Sequence, residues 1–118
     1  MAGARMRRVN EAVREVLSAH LAEGLKDPRI GFVTVTGVDT SPDLRSARVY
    51  FSVLGTQAER DDALAGLRHS RGFLQSQIAA ELRLKRTPTL EFVYDDTVER
   101  AAHLTELIDH ALPEEPAE

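Results

Sequence analysis

LAGLRHSRGFLQSQIAAELRLKRTPTLEFVYD, residues 64–95, decides how the rest of the chain is read. At the helical angle per residue, Leu64, Leu67, Leu74, Ile78 and Leu82 fall on one apolar stripe. A single straight helix through the middle would put Arg71 in that stripe and point Phe73 the opposite way. Gly72 lies between the two, and a bend there is expected to release Arg71 to solvent and let Phe73 turn inward. After Pro88 the period changes: Leu90, Phe92 and Tyr94 alternate with Glu91 and Val93, as in a strand. The stretch therefore reads as a helix, a break at Ser70-Arg71-Gly72, a second helix and a strand. Arg68 and Arg71 stand beside the new helix start, where unbonded N–H groups favour phosphate, and Arg83, Lys85 and Arg86 stand at the far end.

Working outward, Thr56 and Glu59 have capping-box spacing, so the first of these helices is expected to start there and run to Ser70. The second is expected from Gly72 to about Lys85, because the residue before Pro88 disfavours helical angles. Ser46–Leu54 is the clearest strand, with Ala47, Val49, Phe51 and Val53 on one face and Arg48, Tyr50 and Ser52 on the other. A further strand, Gly31–Val38, has apolar residues on both faces. The short loop DTSPDLR between them favours an antiparallel pair. Arg5–Leu25 is an amphipathic helix with Met6, Val9, Val13, Val16, Leu17 and Leu21 on its apolar stripe, ended by Gly24. On its outer face Arg7 and Glu11 have ion-pair spacing, and His20 reads as a hydrogen-bonded residue at the core's edge. Asp95-Asp96-Thr97 would cap a last helix, Val98–Leu112, followed by a disordered acidic tail over 113–118. The sum is one α+β domain over 1–112. It has a three-stranded mixed sheet, helices packed on one face, and the other face open to a partner.

The chain has 118 residues, enough for one real core, and ordinary apolar content. It has no cysteine, which excludes disulfides, thiol nucleophiles and thiolate metal sites. No apolar run reaches membrane-spanning length and the start lacks a signal-peptide core, so a cytoplasmic protein is expected. The net charge of −4 conceals an asymmetry: residues 1–90 carry 14 basic and 10 acidic side chains, whereas residues 91–118 carry one arginine and nine acids. A basic face on the body is compatible with that division.

Signals for catalysis are weak. Histidines 20, 69, 103 and 110 show no metal-ligand spacing, and no cofactor is implied. Asp95 and Asp96 are explained by capping, and Ser41 and Ser70 have no base nearby in the sequence. Binding of nucleic acid fits better. Two helices joined at a glycine between strands are the layout of a KH domain, whose GXXG loop clamps the nucleic-acid backbone. This chain has no GXXG; the equivalent joint is His69-Ser70-Arg71-Gly72. The functional reading is a modified clamp, in which the Ser70 hydroxyl and the N–H groups from Gly72 onward take a phosphate and Arg71 adds charge. The alternative is a kink that serves packing alone.

Several segments, in this order and spacing, resemble the ribosome-binding factor A family: Lys26-Asp27-Pro28-Arg29-Ile30-Gly31 leading into VTVTGV; Ser41-Pro42-Asp43-Leu44 before Ala47-Arg48-Val49-Tyr50; Gly72-Phe73-Leu74; Leu82-Arg83-Leu84-Lys85 with Pro88, Leu90 and Phe92; and Asp95-Asp96. The resemblance spans about Met6 to Leu112. It implies a type II KH-like fold, with a kinked helix pair in place of the GXXG loop, and a bacterial factor that is not an enzyme. Such a factor binds the free small (30S) subunit and promotes its late maturation, including processing of the 5′ end of 16S rRNA. The family's kink is usually Ala-x-Gly, whereas Ser70-Arg71-Gly72 stands here, and relatives often carry longer or more basic tails. The expected RNA-binding residues are Arg7, Arg8, Arg68, Ser70, Arg71, Gly72, Arg83, Lys85 and Arg86, in a monomer whose partners are 16S rRNA, the small subunit and other assembly factors. A protein–protein adaptor using the open sheet face or the acidic last helix is the competing expectation.

Overall fold

The computed structural model describes residues 2–25 and 27–97. Its elements are α1 (Ala2–Glu23), β1 (Val33–Thr40), β2 (Ser46–Val53), α2 (Gln57–His69), α3 (Arg71–Leu82) and β3 (Thr89–Tyr94). The sheet order is β1-β2-β3, with β1 antiparallel and β3 parallel to β2. A parallel neighbour needs a crossover, and the α2–α3 pair supplies it. This is the α+β, type II KH-like arrangement, with the helices on one face of a mixed sheet. The last helix and acidic tail expected beyond residue 97 lie outside the described residues.

The core lies between the helices and that face. Val13 and Leu17 of α1, Leu67 of α2, and Leu74 and Ile78 of α3 meet Val35, Ala47, Val49, Phe51, Leu90 and Phe92 from the sheet. All are buried, and removal of that apolar surface from water is the main stabilising term. The ambiguous alternation of β1 has a specific cause. The register slips between Val35 and Gly37, so that Thr36 is an extra residue on one strand. Val33 and Val35 face the core before the bulge; Val38 and Thr40, opposite Val49 and Ala47, face it afterwards. Thr36 itself donates to Asp95 Oδ2 at 2.6 Å.

Local signals explain most element ends. Gly24, at φ 88, closes α1 with an N–H bond to the Leu21 carbonyl. The Thr56–Glu59 capping box opens α2 as its spacing requires. The second helix of the pair starts one residue earlier than expected, at Arg71, and stops at Leu82 rather than near Lys85. Arg83 ends it with a left-handed backbone, φ 50 and ψ 40. On α1, Glu11 pairs with Arg14, not with Arg7; the residue one turn toward the C-terminus captures it.

Candidate nucleic-acid interface

The joint between α2 and α3 is the single residue Ser70. Its N–H donates to the Gly66 carbonyl and its own carbonyl accepts from Leu74 N–H, each at 3.0 Å. One residue with ψ near 2° thus turns the helix path while helical bonding resumes immediately. The Ser70 side chain makes no capping bond to α3. Gly72 is exposed, with open space around it.

Two expectations about this joint are corrected. Phe73 does not turn inward; it is 49% exposed and meets the His20 ring edge-on, with centroids 5.6 Å apart. Nor is Arg71 released to solvent. It is half-buried, and its Nε is shielded from water without a hydrogen-bond partner. Because the bend comes at Ser70, before Arg71, the arginine stays within the second helix at a partly buried position. Its charge is therefore less available than that of Arg68, which is exposed on the last turn of α2.

On the α1 side of the joint, a cavity of about 740 Å³ opens between the end of α1, the 27–29 turn and residues His69, Ser70 and Phe73. The turn is rigid. The Asp27 carboxylate, 7% exposed, accepts from the Arg29 backbone N–H at 3.0 Å and from the guanidinium at 3.0 and 2.7 Å. Those bonds hold its carboxyl at about 2 against an ordinary 3.8. His20 is bonded through Nε2 to Glu81 of α3 at 2.9 Å, the core-edge role its position implied.

The remaining expected cations gather elsewhere. At the turn joining β1 to β2, Thr40 N–H donates to Asn10 of α1 at 2.8 Å, and the Arg45 carbonyl accepts from Thr89 N–H at 3.0 Å. The first half of α1 and the segment leading into β3 therefore flank this turn. Arg7 lies one helical turn before Asn10, Arg8 follows it, and Arg83, Lys85 and Arg86 precede Thr89; all five are exposed. Arg71 and Arg83 are separated by most of α3, about 18 Å at helical rise. The expected residues thus stand at two places, the joint and the far end of α3, as the sequence spacing implies.

Arg45 is the cation that sequence reading passed over. It is exposed and lies between the two groups at the turn, with Nε 3.5 Å from Asp43. Its signal was the DTSPDLR loop, which reads as turn chemistry before it reads as charge. The sheet face that the described helices leave uncovered is, by contrast, balanced: Arg48 stands in register between Asp39 and Glu91.

Known proteins share this sequence and shape. The family model described as "Ribosome-binding factor A" matches residues 5–108. A curated relative of that name from Anaeromyxobacter sp. (strain K) is 52% identical over 105 residues, covering 88% of this chain and 76% of its own. One from Geobacter metallireducens is 43% identical over 108 residues and covers 92% of both chains. The crystal structure of ribosome-binding factor A from Thermus thermophilus superposes with a TM-score of 0.66 at 26% identity, over 75% of this chain and 94% of that one. A homology model of the Thermus thermophilus protein, fitted into a cryo-EM map of a 30S–RbfA complex, matches with a TM-score of 0.58 at 27% identity, over 78% and 92%.

Proposed function

The chain belongs to the ribosome-binding factor A family, and on that footing we propose that it is a non-enzymatic RNA-binding assembly factor of the cytoplasm. It binds the free small (30S) ribosomal subunit as a monomer, contacts 16S rRNA, works alongside other assembly factors, and promotes late maturation that includes processing of the 16S 5′ end. The observation that carries this reading is the collection of exposed cations around the β1–β2 turn, Arg7, Arg8, Arg45, Arg83, Lys85 and Arg86, on a chain whose relative is seen in a 30S complex. Side chains of that kind bind phosphate without reading sequence, and rRNA presents phosphate densely. Arg68, Ser70, Arg71 and Gly72 form the second contact at the joint.

The test has two parts. Purified protein should co-sediment with free small subunits at low salt and leave them as salt rises. Cells lacking it should accumulate small subunits whose 16S rRNA keeps a 5′ extension, measured by primer extension. Absence of co-sedimentation at low salt would overturn the reading, and normal 5′ ends would remove the processing role.

One observation favours the adaptor reading as a second role. Phe32 and Leu54, each 93% exposed, flank the Val33–Val53 pair where β1 begins and β2 ends. Exposed apolar pairs of that kind suit a protein surface. If they carry the main contact, Phe32→Ser with Leu54→Ser abolishes partner capture, and RNase leaves wild-type capture intact.

A further inference from the structure

The cavity beside Ser70 differs from a phosphate clamp in its charge. Among its walls the Arg29 guanidinium is already committed to Asp27, bidentately and at close range. The other carboxylate in the wall is Glu23. Among the described residues of the wall, an anion would meet an acid, and the one arginine there is engaged. A flat, neutral ring meets something better. Phe73 and His20 stand nearly perpendicular, at 87°, and His20 is held in place by Glu81. Phe73 keeps half its surface exposed beside the cavity, and Leu25 and Pro28 add apolar wall. Ser70, whose side chain makes no capping bond, also lines it.

From this geometry we infer that the cavity seats the base of one unpaired nucleotide, stacked on Phe73, while the strand's phosphates stay outside against Arg68. The inference rests on the RNA-binding reading above and places a base, not a phosphate, at the joint. Aromatic faces accept any base by stacking, and proteins that read single strands use them in this way. The volume, about 740 Å³, is ample for a nucleotide and falls in the range of ordinary ligand pockets. Glu23 fits as an acceptor for a base's exocyclic amino group, a donor that a phosphate diester lacks. Duplex RNA, with its bases stacked inside, offers nothing to this cavity.

The chain contains no tryptophan, so Phe73→Trp introduces a single fluorophore at the proposed stacking position. A single-stranded RNA octamer of mixed sequence should quench that indole saturably, and the same octamer annealed to its complement should not. Phe73→Leu should weaken octamer binding, read by anisotropy of a labelled strand, by roughly tenfold, in line with loss of one stacked base. Because position 73 is half-exposed, both variants should keep the wild-type circular dichroism. The inference is overturned if the octamer binds while indole emission stays constant and Phe73→Leu keeps wild-type affinity. It is overturned equally if free small subunits bind and the octamer does not. Failure of both the octamer and the small subunits to bind would instead remove the RNA-binding reading, and the inference with it.

Discussion

Gly66 of α2 packs so closely on Ile30 that a Cβ at the glycine would lie 2.5 Å from Ile30 Cγ1 and 3.4 Å from Asp27 Cγ. The contact presses the 27–30 turn onto the last turns of α2, and so builds one wall of the cavity beside Ser70. Cγ1 is next to the branch point of the isoleucine, so it cannot swing aside freely. Alanine in place of glycine gains about 1 kcal/mol of helix propensity, while overpacking of a filled site costs roughly 1–3 kcal/mol. Gly66→Ala should therefore lower stability by about 1 kcal/mol, seen as a lower urea midpoint at unchanged slope. A raised midpoint would mean that the turn yields.

Asp27 gives the same turn a pH dependence. Its carboxyl is held at about 2 by the Arg29 side-chain and backbone hydrogen bonds, against 3.8 for an unconstrained aspartate. The unfolded chain takes up this proton more readily, so the stabilisation is complete above the ordinary value and is lost as pH falls from there toward 2. Asp27→Asn should be less stable than wild type at pH 7, and the gap should close between roughly pH 4 and pH 2. Urea midpoints of both proteins across that range would show it. A gap independent of pH would mean that the carboxylate's charge contributes nothing.

The start of α2 offers a reciprocal pair. Thr56 Oγ1 accepts from Glu59 N–H at 3.2 Å, and Glu59 Oε1 accepts from Thr56 N–H at 2.9 Å. Thr56→Ala should cost about 1 kcal/mol. Adding Glu59→Ala should cost less than it does alone, because both substitutions break one motif. Thermal melts of the two single variants and the double variant measure this, and strict additivity would argue against a shared box.

Most of the fold was legible because its signals are local. The change of period at Pro88, the capping box at Thr56 and the glycine after α1 each act within a few residues, and each marks an element end within a residue or two. What escaped depends on contacts distant in sequence. The β1 bulge follows from the need to keep Val38 and Thr40 over Val49 and Ala47, which β1 alone does not reveal. Phe73 is held outward by His20, 53 positions earlier in the numbering. The gathering of Arg7, Arg8 and Arg45 with Arg83, Lys85 and Arg86 follows from the Asn10–Thr40 and Arg45–Thr89 bonds. Arg71 misled for a different reason: its position suggested a misfit, whereas a long aliphatic stem lets an arginine occupy a partly buried position.

If exposed cations around the β1–β2 turn bind rRNA phosphate, binding must depend on salt through those side chains. The measurement is the affinity for purified free small subunits, taken across a series of salt concentrations for wild type and for Arg83→Ala, Lys85→Ala and Arg86→Ala combined. Each lost phosphate contact should reduce the slope of log affinity against log salt by about 0.7–0.9. Phosphate binding by these side chains predicts a slope shallower by roughly 2 and at least a tenfold loss of affinity near 0.1 M salt. Equal slopes and equal affinities for the two proteins would contradict it.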